Sequence, residues 1–156
     1  MAYINLTNYK SFLIQKMKSG FAVRDSKEWG ILIKSFPFDI FPEMKEVPKN
    51  DWYDENGDDE FVSDTPVFKA FESDIEFVYT GAKDTAIVNI TSFMQYLSSN
   101  GMNNIYDQYT GIGRTNVRYV SMPDAKLYRN ESQGDLVVFK IKLKFNDPTT
   151  LITLAL

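Results

Sequence analysis

The chain has 156 residues, of which 44% are hydrophobic, and this apolar content suffices for the core of one domain spanning residues 1–156. It contains no Cys and no His, which removes the thiol nucleophile, the commonest zinc ligands and the best proton-transfer group near neutral pH. The net charge of −4 disfavours specific nucleic-acid binding. We therefore expect no catalytic chemistry, no metal and no cofactor.

The first residues, Met1 to Met17, lack the apolar stretch and small-residue cleavage site of an export signal. No apolar run elsewhere is long enough to span a bilayer. We expect a protein that is made in the cytoplasm and does not act at a membrane.

The first predicted strand covers Trp29 to Lys34, a short apolar run after a charged turn. The prolines that follow impose extended backbone, because proline disfavours helical geometry in the preceding residue. The phenylalanines beside these prolines are Phe36, Phe38 and Phe41. Two interpretations are open: they pack on the core, or they form an arm that contacts another subunit.

Residues 47–66 are crowded with acids and turn formers and have no sustained apolar period, which predicts a long solvent-facing loop. With Gly57 at the sixth position of an EF-hand loop, Trp52 and Ser63 occupy the first and last ligand positions, so the bidentate carboxylate is missing. We prefer a solvated loop or a subunit contact through its aspartates, which include Asp51, Asp54, Asp58 and Asp59.

Residues Glu72 to Thr80 alternate apolar and acidic side chains, which predicts a half-buried strand. Asp84 is placed to cap a helix from Thr85 to Asn100, and Gly101 is placed to end it. We expect the helix to pack on a sheet through one apolar face, formed by Ile87, Ile90, Met94 and Leu97 with Phe93 beside them.

The segment from Ile105 to Tyr119 concentrates aromatic and basic residues around two glycines, as a ligand-binding loop would. It lacks the third glycine of a dinucleotide fingerprint and the Lys-Ser/Thr pair of a phosphate loop. Aromatic faces with planar cations suit a sugar or a carboxylate, so a small-ligand or glycan site is the alternative function, using Tyr106, Tyr109, Arg114, Arg118 and Tyr119.

The C-terminal third is predicted to be an antiparallel meander, with strands at Asn116 to Met122 and Ala125 to Arg129. In the last strand, apolar residues from Val137 to Phe145 alternate with a lysine ladder: Lys140, Lys142 and Lys144. Such a ladder is a solvated face, a protected edge or a basic stripe that meets an acidic neighbour.

The apolar tail from Leu151 to Leu156, which includes Leu154, would promote aggregation if left free. We expect it to pair with a sheet edge, in the same chain or in a neighbouring subunit. Together the elements predict an α+β domain with one helix.

The order of these features resembles the distal tail proteins of long-tailed bacteriophages and prophages, and more loosely their tail-tube and tail-completion proteins. The resemblance rests on the early strand, the Pro-flanked acidic loop, the strand and helix between Ile75 and Leu97, and the peptides IYDQYT, GRTNVRY and FNDP. It covers most of the chain as a pattern of elements.

This resemblance implies an antiparallel β-sandwich or partly open barrel with one flanking helix at about residues 85–100. It also implies a virion structural protein that forms a ring, usually a hexamer, with other tail proteins as partners and no enzymatic chemistry. Distal tail proteins often carry a second, C-terminal domain that can include a carbohydrate-binding module, and the chain is expected to correspond to the ring-forming portion alone. An enzyme with paired acids is a third possibility, but no spacing singles out two carboxylates.

Overall fold

A computed structural model describes residues 9–36, 41–123, 125 and 127–156. Within these residues the chain is mostly antiparallel sheet with a single α-helix, which confirms the predicted α+β class. The helix α1 covers Ala86–Ser98. The strands are β1 (Phe12–Lys16), β2 (Arg24–Asp25), β3 (Ile31–Ser35), β4 (Lys49–Asn50), β5 (Asp59–Glu60), β6 (Phe71–Gly81), β7 (Asn103–Asp107), β8 (Ile112–Ser121), β9 (Leu127–Glu131) and β10 (Gly134–Phe145).

Eight strands form one sheet in the order β2-β1-β7-β8-β10-β6-β3, and β9 pairs with β10 beside this path. The sheet folds over on itself, since the rings of Phe12 on β1 and Phe77 on β6 lie 5.3 Å apart although three strands separate them in the sheet. An isolated bridge joins Lys10 to Ile33, and the sheet is not closed into a barrel. The arrangement agrees with a sandwich.

The last strand supplies the centre of the core, as its alternation predicts. Each odd-numbered residue from Val137 to Phe145 is buried, and Ile75, Phe77 and Tyr79 of β6 are buried opposite them.

The position of β10 corrects one interpretation of the lysine ladder. The strand pairs with β6 on one side and with β8 and β9 on the other, so it is an interior strand and needs no edge protection.

Helix α1 begins and ends within two residues of its predicted bounds, but its cap and its buried stripe differ. Asp84 has a φ of 65° and does not cap the helix; instead Asp135 on β10 accepts a hydrogen bond of 2.9 Å from the amide of Ala86. Ile87 is 65% exposed, which makes its predicted core position wrong. The buried stripe consists of Ala86, Ile90, Phe93 and Leu97. Ile87 follows Ala86 in the chain and is therefore rotated about 100° from it around the helix axis.

The predicted ligand loop at residues 105–119 is instead the β7–β8 hairpin. Asp107 builds its turn, because the carboxylate accepts hydrogen bonds from the amides of Tyr109 and Thr110. The aromatic and glycine content predicted a loop here, but most of these residues lie on two paired strands.

Candidate functional site

A long arm projects from the sheet between β3 and β6 and consists of residues 41–69. Its two sides pair as an irregular ribbon: the amide of Lys69 donates to the carbonyl oxygen of Glu43, that of Lys45 to Val67 and that of Phe61 to Pro48, at 2.8 to 2.9 Å. Beyond these bonds β4 pairs with β5, with Asn50 opposite Asp59. The predicted acidic loop at 47–66 is therefore a hairpin with its own strand pairing.

The arm has no core of its own. No residue from 41 to 67 is buried. Two-stranded hairpins are marginally stable in water, and clustered exposed apolar side chains mark interaction surfaces. Half of the exposed large hydrophobic residues described in the chain belong to the arm: Phe41, Met44, Trp52, Tyr53, Phe61, Val62 and Val67.

The arm also carries the excess negative charge of the molecule. Residues 49–64 contain seven acids and one lysine, a net charge of −6 within a chain whose total is −4, so the rest of the chain carries +2. The four aspartates predicted as contacts are exposed here, and Asp58 forms a surface ion pair of 3.4 Å with Lys49. Among the described residues, no group of three or more acids is arranged to hold a metal ion.

The three phenylalanines near the base of the arm have different positions. Phe36 is half-buried and meets the ring of Phe145 edge-on at 6.2 Å, so it packs on the core. Phe41 is 74% exposed and meets Phe68 edge-on at 5.2 Å, so it belongs to the arm. Phe38 lies outside the described residues.

The lysine ladder has acidic neighbours within its own sheet. The strand register places Glu76, Asp74 and Glu72 of β6 opposite Lys140, Lys142 and Lys144 respectively. Directly opposed charges on antiparallel strands lie within side-chain reach. The half-buried ladder is thus one column of a mixed-charge face, and its role in contacts between subunits stays a prediction.

This mixed-charge face extends to β3. The Nζ atom of Lys34 lies 3.0 Å from a carboxylate oxygen of Glu76. The hydrogen bond with Glu76 raises the pKa of Lys34. Beyond β10 the register places Arg118 of β8 beside Lys144, so positive charge is concentrated at that end of the face.

The apolar tail pairs with β8 of the same chain at its start. Leu151 forms a bridge with Arg114, and the amide of Ile152 donates to the carbonyl oxygen of Gly113 at 3.1 Å. A Cβ atom at position 113 would collide with the carbonyl of Ile152, so the glycine permits this approach. Leu154 is half-buried beyond the paired residues.

The five residues of the alternative ligand site differ in burial and in their contacts. Arg114 is only 6% exposed, donates to the carbonyl oxygen of Pro148 at 3.0 Å and lies over the ring of Phe71. Tyr109 is exposed at the hairpin turn, with the Nζ atom of Lys10 5.8 Å from its ring centre, and Tyr106 is half-buried on β7. Arg118 is exposed, whereas Tyr119 faces α1.

A second surface, absent from the sequence predictions, lies between α1 and β8. It is an apolar groove of about 410 Å³ lined chiefly by Ile87, Ile90, Thr91, Met94, Tyr119 and Met122. No Asp, Glu, Lys or Arg occurs between Asp84 and Asp107, although 24% of the chain is charged. That uncharged run is the sequence signal that could have indicated this surface.

Among the described residues, no helix is long and apolar enough to cross a membrane.

Comparison with known proteins gives a similarity at the level of the fold. No protein-family model matches the chain, and no curated protein matches it in sequence. The crystal structure of the SPP1 Dit (gp 19.1) protein, described as a paradigm of the hub adsorption apparatus in phages that infect Gram-positive bacteria, is similar with a TM-score of 0.59 and 12% identity. The match covers 89% of this chain and 51% of that one, so the chain spans about half of its length.

Proposed function

We propose that this chain is a structural subunit of a bacteriophage or prophage tail and self-associates into a ring at the tail tube or its distal end. The observation that carries the proposal is the fold shared with the SPP1 Dit protein over 89% of the chain. The resemblance noted in the sequence supports a hexamer, a place in the virion and other tail proteins as partners. This role rests on association and needs no catalytic residue.

Two properties of the arm support self-association. Its exposed apolar side chains would leave water on contact with a partner, and its negative charge is opposite in sign to the charge of +2 on the rest of the chain. A contact between two different surfaces of identical subunits closes into a ring when its rotation permits, and otherwise forms a filament.

The geometry favours this role over the alternative ligand-binding module. Recognition of a sugar or carboxylate requires aromatic and basic groups that converge on one concave site. Here Arg114 is buried against Pro148 and Phe71, and Tyr109 lies at the tip of a hairpin.

Light scattering coupled to size exclusion, followed by negative-stain imaging, tests the proposal. We expect concentrated protein, alone or with a neighbouring tail protein, to form closed rings with a mass near six times the 18.0 kDa of one chain. A strict monomer under both conditions that also binds a defined sugar would contradict the tail function and favour the ligand-binding module.

A further inference from the structure

The tip of the arm carries an asparagine followed by a glycine, Asn56 and Gly57, between β4 and β5. Every residue from 51 to 58 is exposed. Within this segment the described residues form one backbone hydrogen bond, from the amide of Glu55 to the carbonyl oxygen of Trp52 at 3.2 Å. Asn56 and Gly57 have no hydrogen-bond partner among the described residues, so little opposes a change in their backbone conformation.

This pair contains both reactants of an intramolecular deamidation. The backbone nitrogen of Gly57 loses its proton and attacks the side-chain amide carbon Cγ of Asn56, and ammonia leaves as the bond from Cγ to the side-chain nitrogen breaks. Water then opens the cyclic succinimide at either carbonyl. Opening at Cγ gives aspartate, and opening at the backbone carbonyl gives isoaspartate, whose main chain continues through the side chain.

The path of the nitrogen to the side chain is open at the tip. Gly57 has a φ of 77°, and a Cβ atom added at this position would meet no other atom within 4 Å. Glycine also adopts a wider range of backbone angles than any other residue. The tip thus offers a nitrogen that no side chain shields and a backbone that can rotate into the geometry of the ring.

The second pair of this kind, Asn100 and Gly101, provides a comparison because the fold holds it on both sides. It lies between the end of α1 and the start of β7, and Asn100 has a φ of 57°. The carbonyl oxygen of Leu97 accepts hydrogen bonds from the buried side chains of Lys16 and Asn103, each at 3.0 Å. Ring closure needs rotation of the peptide group between Asn100 and Gly101, and this rotation would strain those buried contacts.

We propose that Asn56 is a site of spontaneous deamidation and that the fold protects Asn100 from the same reaction. Conversion of the neutral amide to a carboxylate adds one negative charge to residues 49–64, from −6 to −7. Isoaspartate also lengthens the main chain of the tip by a methylene group, close in sequence to the exposed Trp52 and Tyr53. The modification does not depend on the proposed tail function, so either can fail without the other.

Peptide mapping by mass spectrometry tests the site through a gain of about 1 Da at each pair. The purified chain is incubated at near-neutral pH in about 1 M salt, where a Debye length of about 3 Å removes most of the repulsion between the acidic tip and the attacking nitrogen anion. An isoaspartyl methyltransferase assay detects the isoaspartate product. A parallel incubation in guanidinium chloride unfolds the chain and removes the protection of Asn100. The matched variant Asn56→Gln keeps an exposed amide but must close a larger ring.

In the folded chain we expect Asn56 to convert at least about tenfold faster than Asn100, because reaction at Asn100 first requires local opening of the connection between α1 and β7. In guanidinium chloride the two rates should converge, and Asn56→Gln should remove the mass gain at position 56. Equal rates in the folded chain, or conversion of Asn56 in the unfolded chain alone, would overturn the proposal. A rate ratio that persists in guanidinium chloride would assign the difference to local sequence and overturn protection by the fold.

Discussion

At the scale of single residues, Lys16 is an unusual feature of the core. Its side chain is 1% exposed, donates to the carbonyl oxygen of Leu97 at 3.0 Å and lies 5.1 Å from the ring centre of Tyr96. It thereby satisfies a carbonyl group near the end of α1. Burial lowers the pKa of Lys16 from 10.5 to about 8.

This lysine should make stability depend on pH. Above pH 8 the folded chain releases its proton, whereas the unfolded chain retains it up to pH 10.5, so the free energy of unfolding should rise with pH. The rise should reach about 2 kcal/mol by pH 9.5. Urea unfolding of the wild type and of Lys16→Met between pH 7 and 9.5 measures it, and the variant should lack this component.

The measurement must stop below pH 10, because burial raises the pKa of Tyr96 and the titration of this tyrosine has the opposite effect on stability. There the unfolded chain loses the tyrosine proton first, and stability falls with rising pH. The exposed-site variant Lys27→Met is the control. If the wild-type and Lys16→Met curves run parallel, Lys16 is solvated in solution and its assigned burial is wrong.

At the scale of elements, the register between β6 and β10 changes what the lysine ladder is expected to do. Converting Lys140, Lys142 and Lys144 to Glu would place three carboxylates opposite Glu76, Asp74 and Glu72. Directly opposed like charges destabilise a strand pair, so we expect a loss of about 2 kcal/mol in unfolding free energy. Thermal and urea unfolding of the triple variant measure this loss.

The reciprocal variant supplies the control for that experiment. Changing Glu72 and Asp74 to Lys in the same molecule restores opposite charges at two of the three positions and should recover part of the loss, while Glu76 is kept because it also pairs with Lys34. An unchanged midpoint in the triple Glu variant would show that solvent screens the face and that the ladder is free for a partner.

Sequence patterns predicted β6, α1 and β10 because each has a clear apolar period. They missed β1 and β7 because these strands are short and their neighbours in the sheet are distant in sequence: β1 pairs with β7 about ninety residues later. The helix cap was assigned to Asp84, the nearest acid in the chain, whereas Asp135 provides it from β10. Contacts of this kind depend on tertiary structure and leave no local pattern.

At the scale of the whole molecule, the distribution of charge and apolar surface matters more than any single group. The acidic segment was predicted as a contact from its composition, and the structure adds that it is a projecting arm without a core. The groove beside α1 was missed because apolar residues at helical spacing were all assigned to the core, although Ile87 and Val88 face outward. Sequence alone could not distinguish the two faces of a helix that has no charged side.

The arm tip gives a prediction that separates folding from assembly. Replacing residues 51–58 with Asn-Gly would close the ribbon with a two-residue turn between β4 and β5. No residue in this segment is buried, so the unfolding free energy of the monomer should change by less than about 0.5 kcal/mol. Assembly, measured by light scattering and imaging, should be lost.

A matched variant distinguishes the two contributions of the tip. It neutralises Asp51, Asp54, Glu55 and Asp58 as amides and keeps Trp52 and Tyr53. If the aromatic side chains anchor the contact, this variant should still assemble, but more slowly and with less dependence on salt, because exposed charges govern association rate more than affinity. Loss of assembly in the amide variant would assign the contact to charge, and normal assembly without residues 51–58 would show that the arm tip is not part of the ring.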